Sequence, residues 1–288
     1  QKENEKLELQ NINKNGATLT FEPGGQLEYS SKPHKCLSNL TETLEATQRL
    51  LKEKLTKHSI VLAQTGLDPW NTEDDIGLQM NRERYHLMRQ YYKSLNDSLG
   101  THMMLQSSAI QICLDFGPTE ETLTQRYLVS QILAPYAAAI FANSPYLNGK
   151  KTKFQSYRTH IWRNLDKTRT GFPKDLSLLI KNPTREQCIE NYLDFIMNSK
   201  LIFYKQYGKN KLNSEHITFE TWLNTKTKAP PTINDFEKAL TLLFPEVRPK
   251  GFLEIRSVDN QDFSWQMVPI VFYVGLLYDE KNLGNLFE

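Results

Sequence analysis

Cysteine is scarce in this chain: Cys36, Cys113 and Cys188 are the only three among 288 residues. A small odd number, with no CxxC pair and no Cys/His cluster, argues against a disulfide framework and structural zinc, and fits a reducing compartment. Charge of one sign is lacking too. Lys and Arg total 35 against 33 Asp and Glu, a net charge of +2, so the balance calls for neither nucleic acid nor a membrane surface as partner. The longest apolar run, Ile132–Phe141, is well short of the roughly 20 residues a bilayer span needs and contains Pro135, so it reads as a buried helix. There is no GxxxxGK[ST] and no GxGxxG, which excludes those two kinds of nucleotide site. No signal peptide is visible, although the first residue is Gln1. Without one, the acceptor patterns at Asn39-Leu-Thr41 and Asn96-Asp-Ser98 carry little weight. Repeats and low-complexity tracts are missing.

What is present is an ordinary globular balance, 39% hydrophobic and 24% charged. Residues 1–16 read as a polar tail and 17–288 as a single domain. Ala17–Glu28 reads as strand broken by Pro23-Gly24-Gly25. Ser38 to about Lys57 reads as a helix striped by Leu40, Leu44, Leu51 and Leu55. Ser59–Gln64 has the look of a short buried strand, and Gly66–Gln79 of a loop with an acidic patch. Helices are expected over Arg82–Ser94, Glu120–Phe141, Arg185–Lys205, Asn234–Leu243 and Met267–Leu277, and strands over Ile110–Phe116 and Phe252–Arg256. Asn143–Gly171 reads mostly as a long loop rich in Arg, His and Trp, and Ala229-Pro-Pro231 as a linker. Helices and strands mix without a βαβ rhythm, which predicts an α+β fold with a mainly antiparallel sheet.

Three segments put polar groups on one strand face. In Ile110–Phe116, Gln111, Cys113 and Asp115 oppose Ile110, Ile112, Leu114 and Phe116. In Phe252–Arg256, Glu254 and Arg256 oppose Leu253 and Ile255. Beside the Pro-Gly-Gly turn, Gln26 and Glu28 share a face, with Glu22 just before. Such faces offer oxygen ligands and a cation to a magnesium-nucleotide. Each has a plainer reading: a solvated hairpin for Glu22, Gln26 and Glu28, a half-exposed sheet for Gln111 and Asp115, and an ion pair between strands for Glu254 and Arg256. Arg158, His160, Arg163, Lys167 and Arg169 crowd a short stretch that also holds Trp162, which is either a carboxylate- or phosphate-binding loop or a basic solvated one. His160 has no Ser or Cys partner, and Cys113 has no basic neighbour in sequence, so neither is read as catalytic.

Taken in order, several stretches resemble the glutamate–cysteine ligases of the plant and proteobacterial type, which include the ergothioneine-pathway enzymes. They are FEPGGQLEYS at Phe21–Ser30, Arg84-Tyr85 with Met88, MMLQSSAIQICLDF at Met103–Phe116, FANSP at Phe141–Pro145, RTHIW at Arg158–Trp162 with DKTRTG at Asp166–Gly171, and FPEVRPKGFLEIRSVD at Phe244–Asp259. The resemblance implies an antiparallel sheet cradle flanked by helices, like the glutamine synthetase catalytic fold. It also implies ATP and Mg²⁺ as cofactors, L-glutamate and L-cysteine as substrates, an acyl-phosphate route to γ-glutamylcysteine, and a cytoplasmic enzyme, or a plastid one in a plant-like source. By position it assigns Glu22, Glu28, Gln111 and Glu254 to the metal and Arg256 to the phosphate as the catalytic residue. Arg158 and Arg84 fall to the substrate carboxylates, and Trp162 and Trp265 to the walls of the amino-acid pocket. Cys113 and Gly66-LDPW-Trp70 lean toward the ergothioneine branch.

The family's Gly-x-Glu-x-Glu strand, expected before Glu22, and its helical region after Tyr278-Asp-Glu280 are not in this sequence, so the catalytic domain is expected to be incomplete at both ends relative to the family. Two rivals stay open: a related ligase with another amine acceptor, and a non-catalytic binding relative.

Overall fold

The computed structural model describes residues 16–95, 98–176, 183–206, 208–225 and 230–287. The polar tail up to residue 15, Asn96 and Asp97 of the second acceptor pattern, and Ala229 of the linker lie outside them. In chain order the elements are β1 (Thr18–Phe21), β2 (Leu27–Ser30), α1 (Leu37–Thr56), α2 (Glu73–Ile76), α3 (Glu83–Ser94), α4 (Leu99–Gln106), β3 (Ala109–Leu114), α5 (Glu120–Ile140), β4 (Tyr146–Leu147), β5 (Lys150–Lys151), α6 (Tyr157–Leu165), β6 (Thr170–Gly171), α7 (Arg185–Met197), β7 (Phe203–Gln206), β8 (Lys209–Leu212), α8 (Phe219–Asn224), α9 (Ile233–Leu240), β9 (Phe244–Pro245), β10 (Val247–Pro249), β11 (Leu253–Asp259), α10 (Met267–Leu277) and α11 (Glu280–Phe287). Local chemistry sets many of the helix starts. Thr72, Thr119, Ser156, Thr184, Thr218 and Thr232 each precede a helix and accept a hydrogen bond from the backbone N–H three residues on, which satisfies a donor the helix cannot.

The mixture is α+β, with small antiparallel sheets. The largest among the described residues has three strands in the order β10-β11-β3. Val247 pairs with Ile255, and Ile255 with Ile112; the register then slips before Val258, leaving Arg256 and Ser257 in a β-bulge. One face of this sheet is apolar. Ile112, Leu114, Leu253, Ile255 and Val258 pack against Leu128, Val129, Leu133 and Ala137 of α5 and Tyr273 and Leu277 of α10. Burial of such side chains stabilises the layer by about 1.5–3 kcal/mol each. A second core gathers Tyr91 and Tyr92 of α3, Met103 and Leu105 of α4, and Ile161 and Leu165 of α6. The β1/β2 hairpin, with Thr20 opposite Glu28, is fixed to α4. Its turn passes so close that a Cβ on Gly24 would stand 2.1 Å from the Leu105 carbonyl oxygen, and Gly25 takes φ +84°, a conformation glycine adopts without strain.

Four expectations are corrected. Ser59–Gln64 forms no strand: Ile60 N–H bonds back to Leu55 at 3.0 Å and Val61 is 92% exposed, so this apolar run finds no partner strand among the described residues. Asn143–Gly171 is not mostly loop, because α6 occupies its middle; Ser156 caps it, and Tyr157, Ile161 and Leu165 form its inward stripe. The helix begun at Arg185 stops at Met197, and Phe203–Gln206 pairs as a hairpin with Lys209–Leu212. The apolar run in α5 is buried on one face only, since Tyr136 and Ile140 stand exposed. The helices α2, α4, α8 and α11 were not expected.

Candidate active site

Alternation along the central sheet decides which side chains meet. Glu254 lies opposite both Cys113 and Arg248, so all three share the face turned away from α5. Arg256 N–H donates to the Glu246 carbonyl at 3.0 Å, which sets Glu246 across from Arg256 at the bulge, where side chains are re-aimed. Two short motifs lock together nearby. β6 and β9 pair in parallel, Thr170 with Phe244 and Gly171 with Pro245, and Glu246 N–H donates to the Gly171 carbonyl at 2.9 Å. This pairing seats Glu246 against α6.

The result is a shallow, open recess lined by Arg158, Trp162, Phe244, Glu246 and Arg256, with Thr159 and Pro245. Trp162 and Phe244 form its aromatic wall, ring centroids 5.3 Å apart, and the Arg256 guanidinium lies 5.6 Å from the Trp162 ring. Arg158, 4% exposed, donates to the Arg256 carbonyl at 2.9 Å and pairs with Asp259 at 3.4 Å. Asp259 also accepts from Asn143 N–H and from the Ser144 and Ser156 hydroxyls. Yet the Arg158 Nε–H, the Trp162 Nε1–H and, on α3, the Arg84 Nε–H are buried without an acceptor among the described residues. Buried donors are nearly always satisfied in native proteins; other buried polar atoms share this state, among them Arg89 Nε and the Tyr92 hydroxyl, but Arg158 and Trp162 also line the recess, where an acceptor from outside the chain can reach.

Charges on the sheet face are tightly coupled. Glu254, buried, is gripped by Arg248 at 2.6 Å, Arg256 at 3.2 Å and Lys250 at 3.3 Å. Burial would raise its carboxyl, but the Arg248 hydrogen bond and the three positive charges bring it to about 2. Burial and the like charge of Arg248 push the Arg256 guanidinium down to about 10, which leaves it charged at neutral pH. On the hairpin, burial and the neighbouring Glu28 carboxylate push Glu22 up to about 7, against the pull of Arg256 and Arg84. A carboxylate pair that resists double ionisation is a place where a divalent cation is favourable. Desolvation and the Glu254 charge push the Cys113 thiol up to about 11, which disfavours its thiolate.

The family model described as glutamate-cysteine ligase family 2 matches residues 2–284. The chain belongs to that family. It is similar to the chloroplastic glutamate–cysteine ligase of Medicago truncatula, 33% identical over 276 residues that cover 94% of this chain and 52% of the relative. It is also similar to that of Arabidopsis thaliana, 33% identical over 276 residues, 94% of this chain and 51% of the relative. A third similar protein is glutamate–cysteine ligase A, chloroplastic, of Oryza sativa subsp. japonica, 32% identical over 275 residues, 94% and 54%. The chain spans about half the length of the curated relatives it matches.

Set against the family assignments, the structure brings Glu22, Glu28, Arg84, Arg158, Trp162, Glu254 and Arg256 into one electrostatic neighbourhood. Gln111 is exposed on β3, on the Glu254 side of the sheet. Trp265 is not part of the recess: it stands 62% exposed just before α10. Glu22 and Glu28 fit a divalent cation, whereas Glu254 is already held by three cations. Among the described residues no group of three or more His, Cys, Asp or Glu is placed to hold a metal ion, and no helix is long and apolar enough to cross a membrane. Gln26 turns out to anchor the hairpin, donating to the Met104 and Ser107 carbonyls at 3.3 and 3.1 Å. Arg169 is fully buried rather than part of a binding loop. Glu246 was missed; the signal that finds it is its register across from Arg256 in a hairpin of charged residues.

Proposed function

We propose that this chain carries the glutamate site of an ATP-dependent ligase that joins the γ-carboxylate of glutamate to the amine of cysteine, giving γ-glutamylcysteine. The observation that carries this reading is the set of acceptorless buried N–H groups on Arg84, Arg158 and Trp162. A dicarboxylate substrate supplies what they lack, and family membership says which dicarboxylate to test. Arg158 and Arg84 would take the carboxylates, and Trp162 with Phe244 would exclude water from the carbon chain between them. Arg256, charged and beside the bulge, would face negative charge developing on a phosphoryl group passed from ATP to the γ-carboxylate. The cysteine amine would then displace phosphate from that acyl phosphate. Glu22 and Glu28 would hold Mg²⁺, which when bound supplies neutralisation of phosphate charge. Glu254 would hold Arg248, Lys250 and Arg256 in place, and Gln111 on the same side of the sheet would be the residue there open to the metal. We read the hairpin and the central sheet as walls of a glutamine synthetase-like cradle, in a single catalytic domain over 17–288. A cytosol or plastid stroma suits the free cysteines, and the product would enter glutathione or ergothioneine synthesis.

One observation favours a rival. With Glu254 saturated by Arg248, Lys250 and Arg256, the chain could bind the amino acid without turning it over. Phosphate release and product mass from the purified protein with ATP, Mg²⁺ and glutamate separate the two. The ligase reading expects phosphate release that depends on cysteine, and a γ-glutamylcysteine mass. Release equally supported by other amino acids points to a ligase with another acceptor. Glutamate binding without release supports the binding relative.

A further inference from the structure

Glu246 is buried, 8% exposed, and lines the recess beside Arg158, Trp162 and Arg256. Its side chain makes no hydrogen bond or close ion pair with any described residue, although the Arg158, Arg163 and Arg256 guanidiniums act on it through space. A carboxylate held inside a protein normally accepts several hydrogen bonds; the Glu246 oxygens are not among the fully buried atoms lacking a partner and keep contact with solvent instead. Two of these guanidiniums are engaged elsewhere, Arg158 with Asp259 and Arg256 with Glu254, and Arg163 is exposed. The recess therefore presents two opposite deficits side by side: buried N–H groups of Arg158 and Trp162 lacking an acceptor, and a carboxylate lacking a donor.

Those are the complements of an α-amino-acid head group. A carboxylate alone would satisfy the N–H groups and would face Glu246 with like charge. A carboxylate with an adjacent ammonium satisfies both, and charge-assisted bonds of this kind are the strong ones. Building on the glutamate-site reading above, we propose that Glu246 holds the α-ammonium of the substrate, while Arg158 and Trp162 hold its α-carboxylate, so that the recess selects an amino acid over a plain dicarboxylate. Burial pushes the Glu246 carboxyl up against the pull of the three guanidiniums, and an ammonium in contact would favour its anion.

The test is calorimetric titration of the purified protein with L-glutamate and with glutarate, which has the same two carboxylates and no ammonium. Wild-type protein should bind L-glutamate about tenfold or more tightly than glutarate. Glu246→Gln, which keeps the shape and removes the charge, should lose that preference, binding L-glutamate more weakly and glutarate at least as well as wild type does. The wild-type comparison stands even where the variant does not fold. Equal wild-type affinity for the two compounds overturns the proposal, as does a folded Glu246→Gln protein that keeps the preference; in both cases the glutamate site itself survives. Wild-type protein that binds neither compound overturns the site and this assignment together.

Discussion

Arg158 and Arg169 come from one short basic stretch and are both almost fully buried, 4% and 1% exposed, yet they do different things. Arg169 has every arm occupied: Nε on Asp166 at 2.8 Å, Nη1 on the Leu242 carbonyl at 2.8 Å, and Nη2 on the Lys200 carbonyl. Asp166 is completed by the Tyr91 hydroxyl at 2.7 Å and by Thr168. This cluster ties α3, the turn after α6 and the chain after α7 together. Around Arg158 the arithmetic of donors and acceptors does not close, and what remains open faces a recess. The difference teaches that burial and charge alone do not separate a binding arginine from a structural one; a complete set of partners does.

The largest effect expected is on the closed cluster. Asp166→Asn leaves a buried guanidinium uncompensated and should cost about 3–5 kcal/mol in denaturant unfolding. Burial would raise the Asp166 carboxyl, but Arg169 beside it and hydrogen bonds from Arg169, Tyr91 and Thr168 hold it below its ordinary value. The stability it contributes is therefore present above the unfolded carboxyl's value of about 3.9 and is lost as pH falls through the lower folded one. Unfolding followed from pH 6 down to pH 2, values on the order of this window, should show a steeper loss in wild type than in Asp166→Asn; parallel curves would remove the cluster from its role.

Arg158→Lys probes the residue that belongs to both kinds of region. A point charge replaces the fork, so glutamate affinity should fall about thirtyfold, ~2 kcal/mol for hydrogen bonds to a charged group. Stability should also drop, because Asp259 loses a partner. Unchanged glutamate affinity with lowered stability would move Arg158 wholly into the structural class. On the hairpin, Mg²⁺ at about millimolar level should raise the melting temperature of wild type by a few degrees, and should do nothing to Glu22→Gln. An equal shift in both proteins would place the cation elsewhere. The smallest effect is expected from Trp162→Phe, which keeps an aromatic wall and removes one open N–H.

Which side chains share a face of the central sheet was legible in the sequence because strands report their faces by alternation. Glu254 and Arg256 against Leu253 and Ile255, and Gln111 and Cys113 against Ile112 and Leu114, sort as the structure sorts them. α6 was hidden because Arg, His and Trp obscure the stripe of Tyr157, Ile161 and Leu165. Arg169 could not be recognised as structural, since two of its acceptors are backbone carbonyls at Lys200 and Leu242, and carbonyls leave no trace in composition. Glu246 stands outside the regular strand, next to Pro245, and meets Arg256 only through the register that the bulge interrupts. The run at Ser59–Gln64 has strand-like residues, but pairing depends on a neighbour, which local propensity does not encode.

The most direct test of the contrast between open and closed charges is calorimetric titration of L-glutamate into wild-type and Trp162→Phe protein. Saturable binding in wild type that weakens about tenfold in the variant, ~1.5 kcal/mol for one hydrogen bond to a carboxylate, is the result this account predicts. Equal affinity in the two folded proteins, or no binding to wild type, would contradict it.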